Sequence, residues 1–330
     1  MLIGEDQMRK LLGLATAALL ATTGVALAEW PEKPVRLIVP FGAGGTSDQV
    51  ARVLQASIED ADALSQPVTV VNVGGHYSIG ARQVMESDPD GYNFVIIHIA
   101  LMGGEGTGAL DFSWRDFKPV AATGEFCLLP MVRKDSGIDS VGQLLEKAKA
   151  EPDTLIMGVN IGAINHLAGV MLQETLPGAK FRFAQVGGGT ANFTALTGAQ
   201  TNLTVLSGAE VINFTLLPDG TDNPESQIKP LAYTGPERFE GLPDIPTVTE
   251  EGFDMTFCIK NWIFAPKDTP QEAVDGFANA VGAAIKTERY QKFLADKGFS
   301  ESFLTGDALQ ADLDATWSAI EPVAKLAAQN

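Results

Sequence analysis

The tightest restriction on how this chain can fold comes from Leu37-Ile38-Val39-Pro40-Phe41-Gly42-Ala43-Gly44-Gly45-Thr46-Ser47-Asp48. It reads as a buried strand ending at Pro40, a loop with three glycines, and then a helix. Ser47 and Asp48 are favoured N-cap types. Val50, Val53, Leu54 and Ile58 recur at helical spacing behind them. The first amides of a helix lack internal partners and carry partial positive charge. Glycine lets a backbone approach a ligand closely. Strand, loop and helix start together form a seat for an anion such as a carboxylate or phosphate. The plainer reading is a tight strand-to-helix turn without a ligand. Gly42-x-Gly44 lacks the third glycine of the dinucleotide fingerprint, and no GxxxxGK[ST] run occurs. No lysine or arginine stands in the loop before Arg52, which points to a small anion held by backbone amides.

The remaining composition narrows the partners. The chain has 330 residues, enough for two domains, with 45% apolar and 19% charged residues, as in globular proteins. A net charge of −18 argues against nucleic acid and anionic membranes, and it repels an anionic ligand at long range. Any anion site must then work through local donors. Met8-Arg9-Lys10, the apolar stretch Leu11 to Val25 and Ala26-Leu27-Ala28 have the form of a signal peptide cleaved after Ala28, so residues 1–28 are expected to be removed on export to the periplasm. Cys127 and Cys258 are too few for a disulfide framework. Export to an oxidising space permits a bond between them, but both stand in apolar, strand-like segments, where free buried thiols are common, and free thiols are the leading expectation here.

Along the chain, strands and helices alternate. Strands are expected at Val35–Pro40, Val68–Asn72 and Tyr92–Ile97, with helices at Asp48–Asp60 and Ala81–Ser87 between them. A second glycine-bearing loop, Gly74 to Gly80, carries His76 and Tyr77. After a strand at Leu128–Val132 and a helix at Val141–Ala150 the pattern restarts. Strands at Leu155–Val159, Phe181–Val186 and Leu203–Leu206 enclose helices at Leu167–Leu176 and Ala191–Thr197. Loops with Asn160 to His166 and Gly187 to Thr190 precede those helices. This rhythm predicts mainly parallel sheet with ligands at the carboxyl ends of the strands. Ile259–Ala265 is a further strand, and a helix follows over Gln271–Thr287. If the two units face each other, their glycine loops converge on one cleft.

Several ordered motifs then match a known family. They are Trp30-Pro31-x-Lys33-Pro34-Val35-Arg36-Leu37-Ile38-Val39-Pro40-Phe41, Gly44-Gly45-Thr46-Ser47-Asp48, Asp88-Pro89-Asp90-Gly91-Tyr92 and Asp116-Phe117-x-Pro119-Val120. Asn165-His166-Leu167-Ala168-Gly169, Leu242-Pro243-Asp244-Ile245-Pro246-Thr247-Val248-x-Glu250-x-Gly252 and Ala265-Pro266-x-x-Thr269-Pro270 complete the set. From Trp30 to Asn330 the chain resembles the periplasmic solute-binding receptors of the tripartite tricarboxylate transporters. The resemblance implies an α/β fold of the type II periplasmic binding protein, two doubly wound lobes joined by two crossing strands. Lobe one would be residues 29–127 plus 264–330 and lobe two 128–263, with Leu128–Val132 and Ile259–Ala265 as the hinge. It implies a monomer that binds a small carboxylate, delivers it to membrane permease subunits, catalyses nothing and needs no cofactor.

The residues this implies for the ligand are Phe41, Gly44, Gly45, Thr46, Ser47 and Asp48 of the first loop and Ala163, Ile164, Asn165 and His166 of the second unit. His98, Gly188, Gly189, Thr190 and Ser207 complete the set. Departures from the family pattern matter: Ala163 stands where a hydroxyl is usual, Val186 where a polar or basic residue is common, and Leu206-Ser207 replaces an acidic or amide pair. The expected ligand therefore has an apolar or aromatic body and fewer carboxylates than citrate. His166 reads first as a brace for its helix start, His76 as an exposed loop residue, and Asp48 as an N-cap rather than a base. Trp262 fits cleft wall and hinge packing equally. The three histidines suggest no metal site. The rival readings are a sensory receptor for an organic acid and an exported hydrolase using Ser47 or Asp48 with His166, for which no nucleophile frame is present.

Overall fold

A computed structural model of the chain describes residues 30–329; the expected signal segment and its cleavage point lie outside them. The first unit runs β1 (Val35–Val39), α1 (Thr46–Asp60), β2 (Val68–Asn72), α2 (Tyr77–Met85), β3 (Asn93–Ile97) and α3 (Ala100–Thr107). All of β1 but Arg36 is buried. Continuous apolar runs of this kind suit strands covered on both faces, and β2 and β3 flank β1 in parallel. Next comes β4 (Phe117–Arg133), then α4 (Val141–Ala150). The second unit runs β5 (Ile156–Val159), α5 (Ile164–Glu174), β6 (Arg182–Gln185), α6 (Gly189–Thr197), β7 (Leu203–Ser207) and α7 (Gly208–Thr215), followed by β8 (Ile228–Pro230). β6 and β7 lie on either side of β5, again in parallel. The chain returns through β9 (Cys258–Pro266) and ends in α8 (Gln271–Ala284), α9 (Glu288–Lys297), β10 (Phe299–Ser300) and α10 (Gly306–Ala327).

The strands join in the order β2-β1-β3-β9-β4-β7-β5-β6, with β8 and β10 also on β4. β4 is common to both halves. Its stretch Phe117–Cys127 pairs antiparallel with β9, and Leu128–Val132 pairs antiparallel with β7. The strand anticipated at Leu128–Val132 is thus the far end of a 17-residue strand. Pro119 and Gly124 hide its first part, since both weaken a strand. The register shifts fall between Pro119 and Ala121 and between Ala122 and Gly124.

That pairing also corrects the expectation of free thiols. Cys127 lies opposite Cys258 in the register, with Cα atoms 4.1 Å apart, and the two form a disulfide. The bond joins β4 and β9 where β4 passes from one half to the other. No sequence pattern shows which residues 131 apart will be strand neighbours.

Behind the first half, Phe277 of α8 stacks on Phe94 of β3 at 4.3 Å. In the second half Leu129, Met131 and Leu206 share an apolar cluster. α10 packs on both α3 and α5, so one helix braces the two halves. α3 was not anticipated, because Gly103, Gly104 and Gly106 are poor helix formers. Packing explains them. A Cβ on Gly103 would overlap the Gly162 carbonyl, and one on Gly104 would overlap the Tyr77 hydroxyl.

Candidate functional site

Three helices begin at one cavity. α1 starts after Gly45, α5 after Ala163 and α6 after Gly188, and none has a hydrogen bond from a cap side chain. Of the other helices, α2, α4, α7 and α9 are capped by the side chains of His76, Ser140, Ser207 and Thr287, while α3, α8 and α10 also lack such a bond but place none of their first residues in the lining of this cavity. Each uncapped start presents orphan amides and roughly half a positive charge. The cavity has a volume of about 130 Å³. No lysine or arginine is among its lining residues.

Most of the expected residues meet here. Phe41, Gly45, Thr46 and Ser47 come from the first loop, Ala163, Ile164 and Asn165 from the start of α5, and Gly188, Gly189 and Thr190 from the start of α6. His98, from the end of β3, also lines the cavity. Thr46 and Asn165, from opposite halves, therefore share one chamber. Four expected residues stand behind the wall and hold it. Gly44, at φ 83°, donates its N–H to Asp48 Oδ2 at 2.8 Å. Asp48 sits inside α1 rather than at its cap, and Asn72 and Arg52 also bind its carboxylate. Burial pushes the Asp48 carboxyl up, but Arg52, the Gly44 amide and Asn72 outweigh it and hold it below the usual range. His166 Nδ1 accepts the Gly162 N–H at 3.2 Å, bracing the loop before α5. Ser207 Oγ caps α7 and lies 2.6 Å from Thr46 Oγ1.

Both buried histidines are neutral. Burial pushes His98 down to about 3 and His166 down to about 4. His98 Nδ1 accepts the Ala100 N–H at 3.2 Å, and its ring stacks on Phe41 at 4.8 Å. The proton of neutral His98 is then on Nε2. His76 is not a plain exposed residue: half-buried, it caps α2, and its Nε2 lies 3.3 Å from the Ile161 carbonyl of the other half. Tyr77 Oη donates to that same carbonyl at 3.0 Å. Trp262 is buried away from the cavity and donates to Asp312 at 3.1 Å.

Two polar residues escaped the sequence reading. Asn160 is 1% exposed and lines the cavity. The Ile161 N–H donates to Gln185 Oε1, so Gln185 Nε2 faces Asn160 Oδ1 at 3.1 Å. Asn160 Nδ2 is left buried without a protein acceptor. Such an orphan calls for a partner. Glu210 is the other, 4% exposed and also in the lining. Its signal was the S-x-x-E capping box Ser207-Gly208-Ala209-Glu210, whose reciprocal bonds are present.

Two α/β halves around a buried, amide-lined cleft define the bilobal ligand-binding fold of periplasmic binding proteins. The chain superposes on the periplasmic binding protein BugD with a TM-score of 0.78 and 28% identity, covering 90% of this chain and 98% of that one. On a protein of R. palustris solved with adipate the TM-score is 0.79 and the identity 26%, over 91% and 98% of the two chains. An Agrobacterium vitis relative, a UPF0065 protein of the TAR-I ttuE-ttuC′ intergenic region, is 31% identical over 299 residues, 86% of this chain and 80% of that protein. Residues 50–311 match the profile of the tripartite tricarboxylate transporter family receptor, and the chain belongs to that family. It is a solute-binding receptor.

Proposed function

We propose that the cleft captures one small organic acid and seats its carboxylate on the main-chain amides at the starts of α5 and α6. Asn160 Nδ2 and the His98 Nε2–H add side-chain donors. Phe41, Ile164, Val186 and Val205 form the apolar walls that receive the body of the ligand. The observation that carries this reading is the convergence of three uncapped helix starts on one cavity without basic side chains. The adipate bound by one relative is an acid of this size class. Ala163 and Val186 leave the second wall poor in donors, which favours fewer carboxylates than citrate.

The receptor works by closure. We place one crossing at Cys127–Leu128, where β4 changes partners, and the other at Phe257–Cys258. The latter lies ahead of the 263/264 boundary expected from sequence, because all of β9 pairs with the first stretch of β4. The lobes are then residues 29–127 plus 258–330 and 128–257. Closing them excludes water and strengthens each bond to the ligand. The ligand drives closure by its differential affinity for the closed state. The protein, exported after loss of residues 1–28, acts as a periplasmic monomer and hands its acid to permease subunits. It holds the ligand without altering it. Ser47 Oγ is committed to Asn261 Oδ1 at 2.9 Å, and His166 to Gly162, so the serine has no base beside it.

Titration calorimetry with citrate, adipate and benzoate tests the reading. At least one of adipate and benzoate is expected to bind, with citrate at least tenfold weaker; citrate as the tightest ligand overturns it. Native mass spectrometry of the purified receptor names the acid that copurifies.

A further inference from the structure

Glu210 already sits where a ligand carboxylate would be expected. Its Oε2 accepts the Ser207 N–H at 3.0 Å, which completes the cap of α7. A capping box needs no more than that oxygen. Oε1 crosses the cleft and accepts the Thr46 N–H at 3.1 Å, at the start of α1. The carboxylate lies between two glycine helix starts. A Cβ on Gly189 would overlap Oε1, and one on Gly45 would lie 3.4 Å from it. Thr46 Oγ1 to Ser207 Oγ at 2.6 Å and Thr190 Oγ1 to the Ala43 carbonyl at 3.2 Å run alongside the same crossing. No ion pair of Glu210 with a lysine or arginine occurs among the described residues.

We propose that Glu210 is a built-in substitute for a second ligand carboxylate: it fills the seat on α1 and restricts the receptor to monocarboxylates with an uncharged remainder. This rests on the carboxylate reading of the cleft. Three helix starts could hold more than one anionic group, but the one on α1 is spent on the protein's own side chain. The orphan donor, Asn160 Nδ2, lies in the loop before α5 and marks the seat still open. A second carboxylate on the ligand would find the Thr46 amide already taken by Glu210 and no basic residue in the lining to hold it instead.

Calorimetry at pH 8 with two acid pairs, butyrate against succinate and benzoate against phthalate, decides the matter. The native receptor is expected to bind the monoacid of at least one pair at least tenfold more tightly than its diacid. Glu210→Ala empties the seat and is expected to shrink that ratio at least tenfold by gaining the diacid. Glu210→Asp keeps a carboxylate near Ser207 but falls one methylene short of Thr46. It is expected to shift the ratio the same way and decides the question if the alanine variant fails to fold. Equal native affinity for monoacid and diacid, or an unchanged ratio in the folded variants, overturns the role of Glu210 and leaves the carboxylate reading standing. Failure of the native receptor to bind any of the four acids overturns both.

Discussion

Asn160 and the two buried histidines show how single side chains prepare this site. Asn160 is oriented by a relay from the Ile161 amide through Gln185, and its spare N–H2 points the chemistry toward an acceptor. A hydrogen bond to a charged group contributes about 1.5–3 kcal/mol. Asn160→Ala is therefore expected to weaken benzoate binding about 10- to 150-fold by calorimetry, with a melting temperature within a few degrees of native; unchanged affinity would remove Asn160 from the site. The histidines carry a pH signature. Their folded values are depressed to about 3 for His98 and about 4 for His166, against an ordinary 6.5. Between pH 6.5 and about 4 the unfolded chain binds more protons than the folded one. Stability contributed by the neutral rings is thus present above 6.5 and is lost as pH falls. Urea unfolding from pH 7.5 to 4.5 should show this decline. His98→Asn and His166→Asn keep an acceptor for Ala100 and Gly162 but cannot titrate, so each should flatten it; slopes equal to native would refute the assignment.

The elements meet across the cleft where glycine permits it. α3 approaches the loop before α5 so closely that Gly103 touches the Gly162 carbonyl, and Tyr77 and His76 of α2 reach the neighbouring Ile161 carbonyl. Under the proposed closure these contacts form as the lobes meet. Overpacking at such a contact costs about 1–3 kcal/mol. Gly103→Ala is accordingly expected to weaken ligand binding about 5- to 150-fold by opposing closure. Small-angle scattering of the liganded variant should show a larger radius than the native complex; native affinity and radius together would mean that α3 does not gate closure. In the proposed reading the starts of α5 and α6, which have no cap side chain of their own, are left to the ligand, while the Thr46 amide of α1 is taken by Glu210.

Across the whole molecule, the disulfide ties two strands that run between or beside the halves. It closes a loop of 131 residues, and bonds of this kind contribute about 2–4 kcal/mol. Paired Cys127→Ala and Cys258→Ala substitutions are expected to lower unfolding free energy by about that amount in denaturant. Neither cysteine lines the cavity, so the affinity for benzoate should stay within about threefold of native; a larger change would make the disulfide part of closure. Much of the architecture was legible along the chain. β1, β2 and α4 stand where apolar runs and periodicity put them, because those signals are local. The glycine loops before helices were legible too, since Gly44-Gly45-Thr46 and Gly187-Gly188-Gly189 precede helices whatever else surrounds them. The glycine-rich α3, the opening stretch of β4 and the bond between Cys127 and Cys258 were not, because distant neighbours impose each of them. Local pattern thus established two α/β units with glycine loops ahead of helix starts. Placing Glu210 beside Thr46 took the folded chain, since residues 164 apart become partners only when the two halves pack together. No periodicity or motif encodes a contact between surfaces that meet by packing.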